Sequence, residues 1–163
     1  MDVKIFESGL SNTKVIALLG EHLEGMTSHS PPESIHALDL NALSAKDITF
    51  WTAWDGESLL GCGALKELDP EHGEIKSMRT SDEHLGKGVA TAILRHIMGE
   101  SRKRLYKRLS LETGSGAAFE SAHALYKKFG FDYCGPFGDY RADSFSRCMT
   151  LELSDVFEEM RTS

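Results

Sequence analysis

The chain lacks a basic excess. Its 163 residues carry 18 lysine and arginine side chains against 25 aspartate and glutamate side chains, a formal net charge of −7 at pH 7. Nucleic acid is excluded as a partner on that balance, because binding it requires cations that displace condensed counterions. The cluster Arg102, Lys103, Arg104, Lys107 and Arg108 is short and reads as a solvated helix end favoured by the helix dipole. Cysteine is scarce. Cys62, Cys134 and Cys148 are odd in number and show no CxxC spacing, which argues against both a disulfide framework and a zinc site. They read as small core residues or bystanders. No signal peptide and no apolar run of ~18 residues is found, so no membrane segment is expected and a cytoplasmic location is. Linkers, repeats and low-complexity stretches are also missing. One domain is expected over residues 1–153, followed by an acidic tail at 154–163.

What is present is an ordinary globular composition, 40% hydrophobic and 26% charged. A first strand is expected at about 3–6. Ser11 then caps a helix with Val15, Leu18, Leu19, His22, Leu23 and Met26 on one face. Residues 29–47 read as a short helix with loops, opened by Pro31 and Pro32. Three strands follow in quick succession, ITFWTAW, SLLGCGALKEL and EIKSMRT, and the tight turns between them imply an antiparallel meander. A helix is expected from about 87 to 103, a strand at RLSLET, and a helix at AAFESAHALYKKFG ended by Gly130. FDYCGPF and SRCMTLEL form a final strand pair. The order is βααβββαβαββ, a mixed α/β sheet with helices on both faces. Its one clear parallel connection runs from EIKSMRT through a helix to RLSLET.

The stretch HLGKGVATAIL lies at that strand-to-helix junction. Free backbone N–H groups and the positive end of the helix dipole favour an anion there, and glycines let the backbone approach it closely. A P-loop needs GxxxxGK[ST], but Val89 follows Gly88. A dinucleotide fingerprint belongs in the first βα turn of a parallel sheet, whereas this stretch follows a meander. A nucleotide-binding oxidoreductase is therefore the remoter alternative.

Leu85-Gly86-Lys87-Gly88-Val89-Ala90 resembles the [QR]xxGx[GA] pyrophosphate loop of the GNAT superfamily, the acetyl-CoA-dependent N-acetyltransferases, with Leu85 in place of Gln or Arg. Further on, AHALYKKFGF resembles the family's AxxLYxxxGF segment, with Tyr126 at the tyrosine position and Phe119 where the family often has Asn. The resemblance implies a mostly antiparallel sheet with one splayed parallel pair. It implies acetyl-CoA as cosubstrate, held by Leu85, Gly86, Lys87, Gly88, Val89, Ala90, Thr91 and Phe119, with the backbone at Met78 and Thr80 bonding the pantetheine arm. It requires no metal.

The resemblance further implies direct attack of an amine on the thioester in a ternary complex. An amine of pKa near 10 needs about 4 kcal/mol to present its free base at pH 7, from roughly three pH units, so a carboxylate is expected to remove a proton. Glu74 matches the place of the general base in histone-type members, and Glu112 is the competitor on the neighbouring strand. Tyr126 is placed to protonate or hydrogen-bond the departing thiolate, and a backbone N–H at Met78 to stabilise the developing oxyanion. Family members vary most between the first strands and near the last pair, which makes His29, His36, Asp39, Tyr140 and Arg141 the candidates for the acceptor pocket. The acceptor is a small-molecule or peptide amine, and homodimerisation is left open. The second function class is a non-catalytic acetyl-CoA sensor or partner-binding module of the same fold.

Overall fold

A computed structural model describes residues 1–8, 11–29, 45–138 and 140–153, the side chains of 23 and 25–29 excepted. Strands β1 (Lys4–Glu7), β2 (Ile48–Asp55), β3 (Ser58–Asp69), β4 (His72–Thr80), β5 (Arg108–Thr113), β6 (Asp132–Cys134) and β7 (Arg147–Glu152) form one sheet. Their order is β1-β2-β3-β4-β5-β7-β6. Helices α1 (Thr13–His29), α2 (Val89–Lys103) and α3 (Glu120–Lys128) lie between them. Every pairing is antiparallel except that of β4 with β5.

Alternation along the meander sends side chains to two separate cores. Phe50, Cys62 and Ala64 pack with Val15, Leu18 and Leu19 of α1. Trp51, Ala53, Leu65 and Ile75 pack with Val89, Ile93, Leu94, Ile97 and Met98 of α2, and with Tyr126 of α3. Helices therefore cover both faces. Each buried aliphatic side chain of α2 contributes about 1.5–3 kcal/mol. That helix sits close because β3 offers glycine beneath it: a Cβ on Gly63 would lie 2.8 Å from both Ile93 Cγ2 and Met78 Sδ.

Several boundaries move for local reasons. Asn12, not Ser11, caps α1: its Oδ1 accepts the Lys14 N–H at 2.8 Å and its carbonyl takes the Ile16 N–H. β4 begins at His72 because the Asp69 side chain closes a tight turn by accepting the Glu71 N–H. α2 begins at Val89, since Gly88 has φ +83°, outside the helical region. α3 is preceded by a single 3₁₀ turn, Ala117–Phe119. β6 stops at Cys134, just before Gly135 and Pro136, where proline has no N–H for the ladder. The short helix expected within 29–47 and the tail from Ser154 lie outside the described residues.

Candidate active site

Two features of the backbone open a cleft beside β4. The first is the end of the parallel ladder. β4 and β5 pair from His72–Arg108 to Ile75–Leu111 and no further. Beyond that point β4 stays with β3, through Cys62–Arg79 and Gly61–Thr80, while β5 stays with β7, through Glu112–Cys148 and Thr113–Arg147. The two strands splay. The second is a bulge: Ser77 and Met78 together face Gly63, because the register passes from Ala64–Lys76 to Cys62–Arg79. Ser77 adopts φ +54°, which a non-glycine residue holds only under local constraint.

The bulge also resets which way side chains point. Lys76 and Arg79 both pair with residues of the α1-side core, Ala64 and Cys62. Met78 packs toward α2 against Gly63. The cleft has a volume of about 610 Å³ and passes between the splayed strands. At one end lie Leu85, Gly86, Gly88, Val89, Ala90 and Thr91. Along its walls are Met78, Thr80, Phe119 and Tyr126, and toward the α1 side Glu74, Glu112 and Tyr140.

The loop end is built for an anion. Gly86 and Gly88 have φ +74° and +83°, and a Cβ at either would meet no atom within 4 Å. The space in front of them is open. The first backbone hydrogen bond of α2 runs from Ala92 N–H to the Gly88 carbonyl at 3.1 Å, so the preceding N–H groups have no intrahelical acceptor. Lys87 is exposed and stands outside the cleft lining, and Leu85 is 61% exposed.

Tyr126 is buried, its ring edge-on to Phe131 at 5.6 Å between centroids. It belongs to the core cluster packed beneath α2. Burial raises its phenol pKa, so it keeps its proton throughout the neutral range. Its hydroxyl makes no hydrogen bond among the described residues.

At the opposite end, the two carboxyl groups differ. Glu74 is buried, and its Oε2 accepts from the Lys76 ammonium at 3.1 Å and from the Tyr140 hydroxyl at 2.5 Å. Lys76 also donates to the Tyr140 oxygen at 2.8 Å. The three side chains form a closed set, with Lys76 9% and Glu74 4% exposed. Burial, then the charge of Glu74 and its hydrogen bond, raises the Tyr140 pKa. Glu112 carries no such cation contact. Burial pushes its carboxyl up to about 7, opposed by a hydrogen bond from Ser146 and the Lys76 charge, and helped by the charges of Glu74 and Asp143.

Of the acceptor candidates, Tyr140 lines the main cleft, while Arg141 lines an adjoining hollow of about 340 Å³ that shares Tyr140. His36, Asp39 and the side chain of His29 lie outside the described residues. Sequence reasoning passed over Lys76, Ser77, Arg79 and, as a cleft residue, His22, all of which line the cleft. Lys76 was open to discovery, since it stands two residues from Glu74 and so shares its face of the strand. Among the described residues, no group of three or more His, Cys, Asp or Glu side chains is disposed to hold a metal, and no helix is long and apolar enough to cross a membrane.

The comparisons agree with one another. The model of the acetyltransferase (GNAT) family matches residues 16–131. The chain is 59% identical over 153 residues to the uncharacterised N-acetyltransferase YsnE of Bacillus subtilis, covering 94% of this chain and all of that protein. It is 51% identical over 146 residues to the uncharacterised N-acetyltransferase YedL of Escherichia coli, covering 90% and 92%. A GNAT family acetyltransferase of Elizabethkingia anophelis, solved with acetyl-CoA bound, superposes with a TM-score of 0.68 at 17% identity, covering 92% of this chain and 97% of that one.

Proposed function

The chain belongs to the acetyltransferase (GNAT) family, and from that premise we propose that it moves the acetyl group of acetyl-CoA to an amine by direct attack in a ternary complex. One observation carries the reading: the splay beyond Ile75–Leu111 joins an anion-ready helix start, a buried tyrosine hydroxyl and two carboxyl groups in a single cleft. The bound acetyl-CoA of the Elizabethkingia protein supports the choice of donor.

The donor supplies an activated acyl thioester. The backbone N–H groups from Gly88 to Thr91 hold its pyrophosphate, and the open space before the two left-handed glycines admits it. The unpaired rims of β4 and β5 take the pantetheine arm, with Met78 and Thr80 offering backbone groups. The bulge residue at Ser77–Met78 is the one freed from the ladder, and its N–H faces the acyl oxygen as charge develops there. The Tyr126 hydroxyl keeps its proton at neutral pH and gives it to the departing sulfur.

Glu112 removes the proton of the acceptor. A carboxyl near 7 is matched to that task, because a base works best when its pKa lies near the working pH. Glu74 is held by Lys76 and Tyr140 and fixes the floor on which the acceptor rests. Its competing role as base, expected from its place in EIKSMRT, is separated by exchanging each carboxylate for its amide. Thiol release from acetyl-CoA against a panel of primary amines, together with the rise in Tm on adding acetyl-CoA or desulfo-CoA, tests the whole reading. Acetyl-CoA that raises Tm without amine-dependent thiol release would mark a non-catalytic binder. No rise at about millimolar ligand overturns donor binding.

A further inference from the structure

Four buried side-chain polar atoms have no hydrogen-bond partner among the described residues: Ser77 Oγ, Arg79 Nε, His84 Nδ1 and Arg102 Nε. Three of them belong to residues that line the cleft. An orphaned buried polar group costs roughly 1–3 kcal/mol, and three on residues that border one cavity point to a ligand that completes them.

Arg79 lies on the α1 side of the sheet, and Ser77, in the bulge of the same strand, lines the same cleft. Arg79 pairs with Cys62, on the α1 side of the sheet, and its charge is felt by His22 of α1, which burial and that charge hold neutral. Its ionic contact is with Asp82 at 3.2 Å through one terminal nitrogen, and Asp82 is 72% exposed. That exposure leaves the pair weakly coupled. The Nε edge of the guanidinium remains unpaired, so one side of the fork that matches a carboxylate is free. Lys76, by contrast, already donates to Glu74 and Tyr140.

We propose that the acceptor amine carries a carboxylate, which the Nε edge of Arg79 binds with the Ser77 hydroxyl as a second donor, while its amine faces Glu112. The proposal rests on the acetyltransferase reading and names its substrate class. A single negative charge fits better than two, because Glu74 and Glu112 line the same cleft and would repel a dianion. Arg79 lines the cleft, and its side chain is 25% exposed.

The test compares amino acids with their carboxamides and their decarboxylated amines as acceptors, using acetyl-CoA and thiol release. The carboxylate-bearing member of each set is expected to be preferred in kcat/KM by about 10- to 100-fold, the worth of a charge-assisted hydrogen bond. Arg79→Gln should erase that preference by raising KM for the acid alone, and Arg79→Lys should restore part of it. Ser77→Ala should weaken the acid more than the amide. A merely structural Arg79 would depress acid and amide alike. Acetyl-CoA that raises Tm normally while amides or simple amines react as well as acids, or while no acid reacts, overturns the proposal. Failure of acetyl-CoA to raise Tm would instead overturn the underlying reading.

Discussion

Glu112→Gln is expected to move activity and stability in opposite directions. The carboxyl is raised from its ordinary 4.5 to about 7, chiefly by burial. That difference corresponds to about 3 kcal/mol at 1.36 kcal/mol per pH unit, and partial access to water discounts it to ~1–2 kcal/mol. The sign follows from linkage. A carboxyl whose folded pKa is raised favours folding while protonated, so its stability is complete below pH 4.5 and is lost as pH climbs through 7. Above pH 7 the parent bears a poorly solvated charge that the amide does not. Glu112→Gln should therefore melt higher than the parent at pH 8, by roughly 3–6 °C for a chain of this size, and the gap should vanish by about pH 4. In activity, the parent should show an acid limb in kcat/KM with its midpoint near pH 7. The variant should lose that limb and, at pH 8, some 10²- to 10³-fold in rate. Calorimetry across pH and thiol release across pH read the two arms separately. A variant within tenfold of the parent that keeps the acid limb would remove Glu112 from the chemistry. A variant no more stable at pH 8 than the parent would show that the carboxyl is not desolvated.

Three further substitutions probe the rest of the cleft. Tyr126→Phe keeps the buried ring and its packing on Phe131 but removes the proton donor; kcat should fall by about 10²-fold with little change in acetyl-CoA affinity by calorimetric titration. Gly88→Val places a branched residue at φ +83° and fills the open space before the loop; acetyl-CoA should no longer raise Tm, at a cost in folding stability of about 1–3 kcal/mol. Glu74→Gln leaves the buried Lys76 ammonium without its counter-charge; denaturant unfolding should show a loss of about 3 kcal/mol, and the acid limb assigned to Glu112 should survive.

The elements were legible because their cues are local. The tight turn at Asp55–Gly56 between two apolar runs specifies a hairpin, and Gly86 and Gly88 mark where a chain must turn left-handed before a helix. The loop and Tyr126 could be placed in one site because motif order and element order agreed. The polar floor was not legible. Lys76 and Glu74 meet Tyr140 across 64 and 66 residues of chain, and no local pattern encodes that encounter. The bulge was equally hidden. Strict alternation would put Glu74, Lys76, Met78 and Thr80 on one face, yet the extra residue at Ser77–Met78 turns Arg79 to the side of Lys76. A bulge is a mismatch between two strands, so one strand's sequence does not reveal it. The contrast between the two carboxyl groups was hidden for the same reason, since it depends on which cations fold against each.

The charge of the chain sharpens the part the backbone plays. A protein of net charge −7 repels a polyanionic donor at long range, and Leu85 stands where the pyrophosphate-loop pattern that the stretch resembles has Gln or Arg. Lys87, the loop's own cation, is exposed and is not among the residues that line the cleft. On the proposed reading, the pyrophosphate is held by oriented N–H dipoles rather than by side-chain cations. Dipoles act only at close range, so their value depends on how near the anion can come. That makes the absence of a Cβ at Gly86 and Gly88 a condition of binding and not only of turning. The cations that do line the cleft, Lys76 and Arg79, stand on β4 rather than in the loop. Lys76 is neutralised by Glu74 and lends no charge to the donor, whereas Arg79 keeps one edge unspent where the acceptor must arrive.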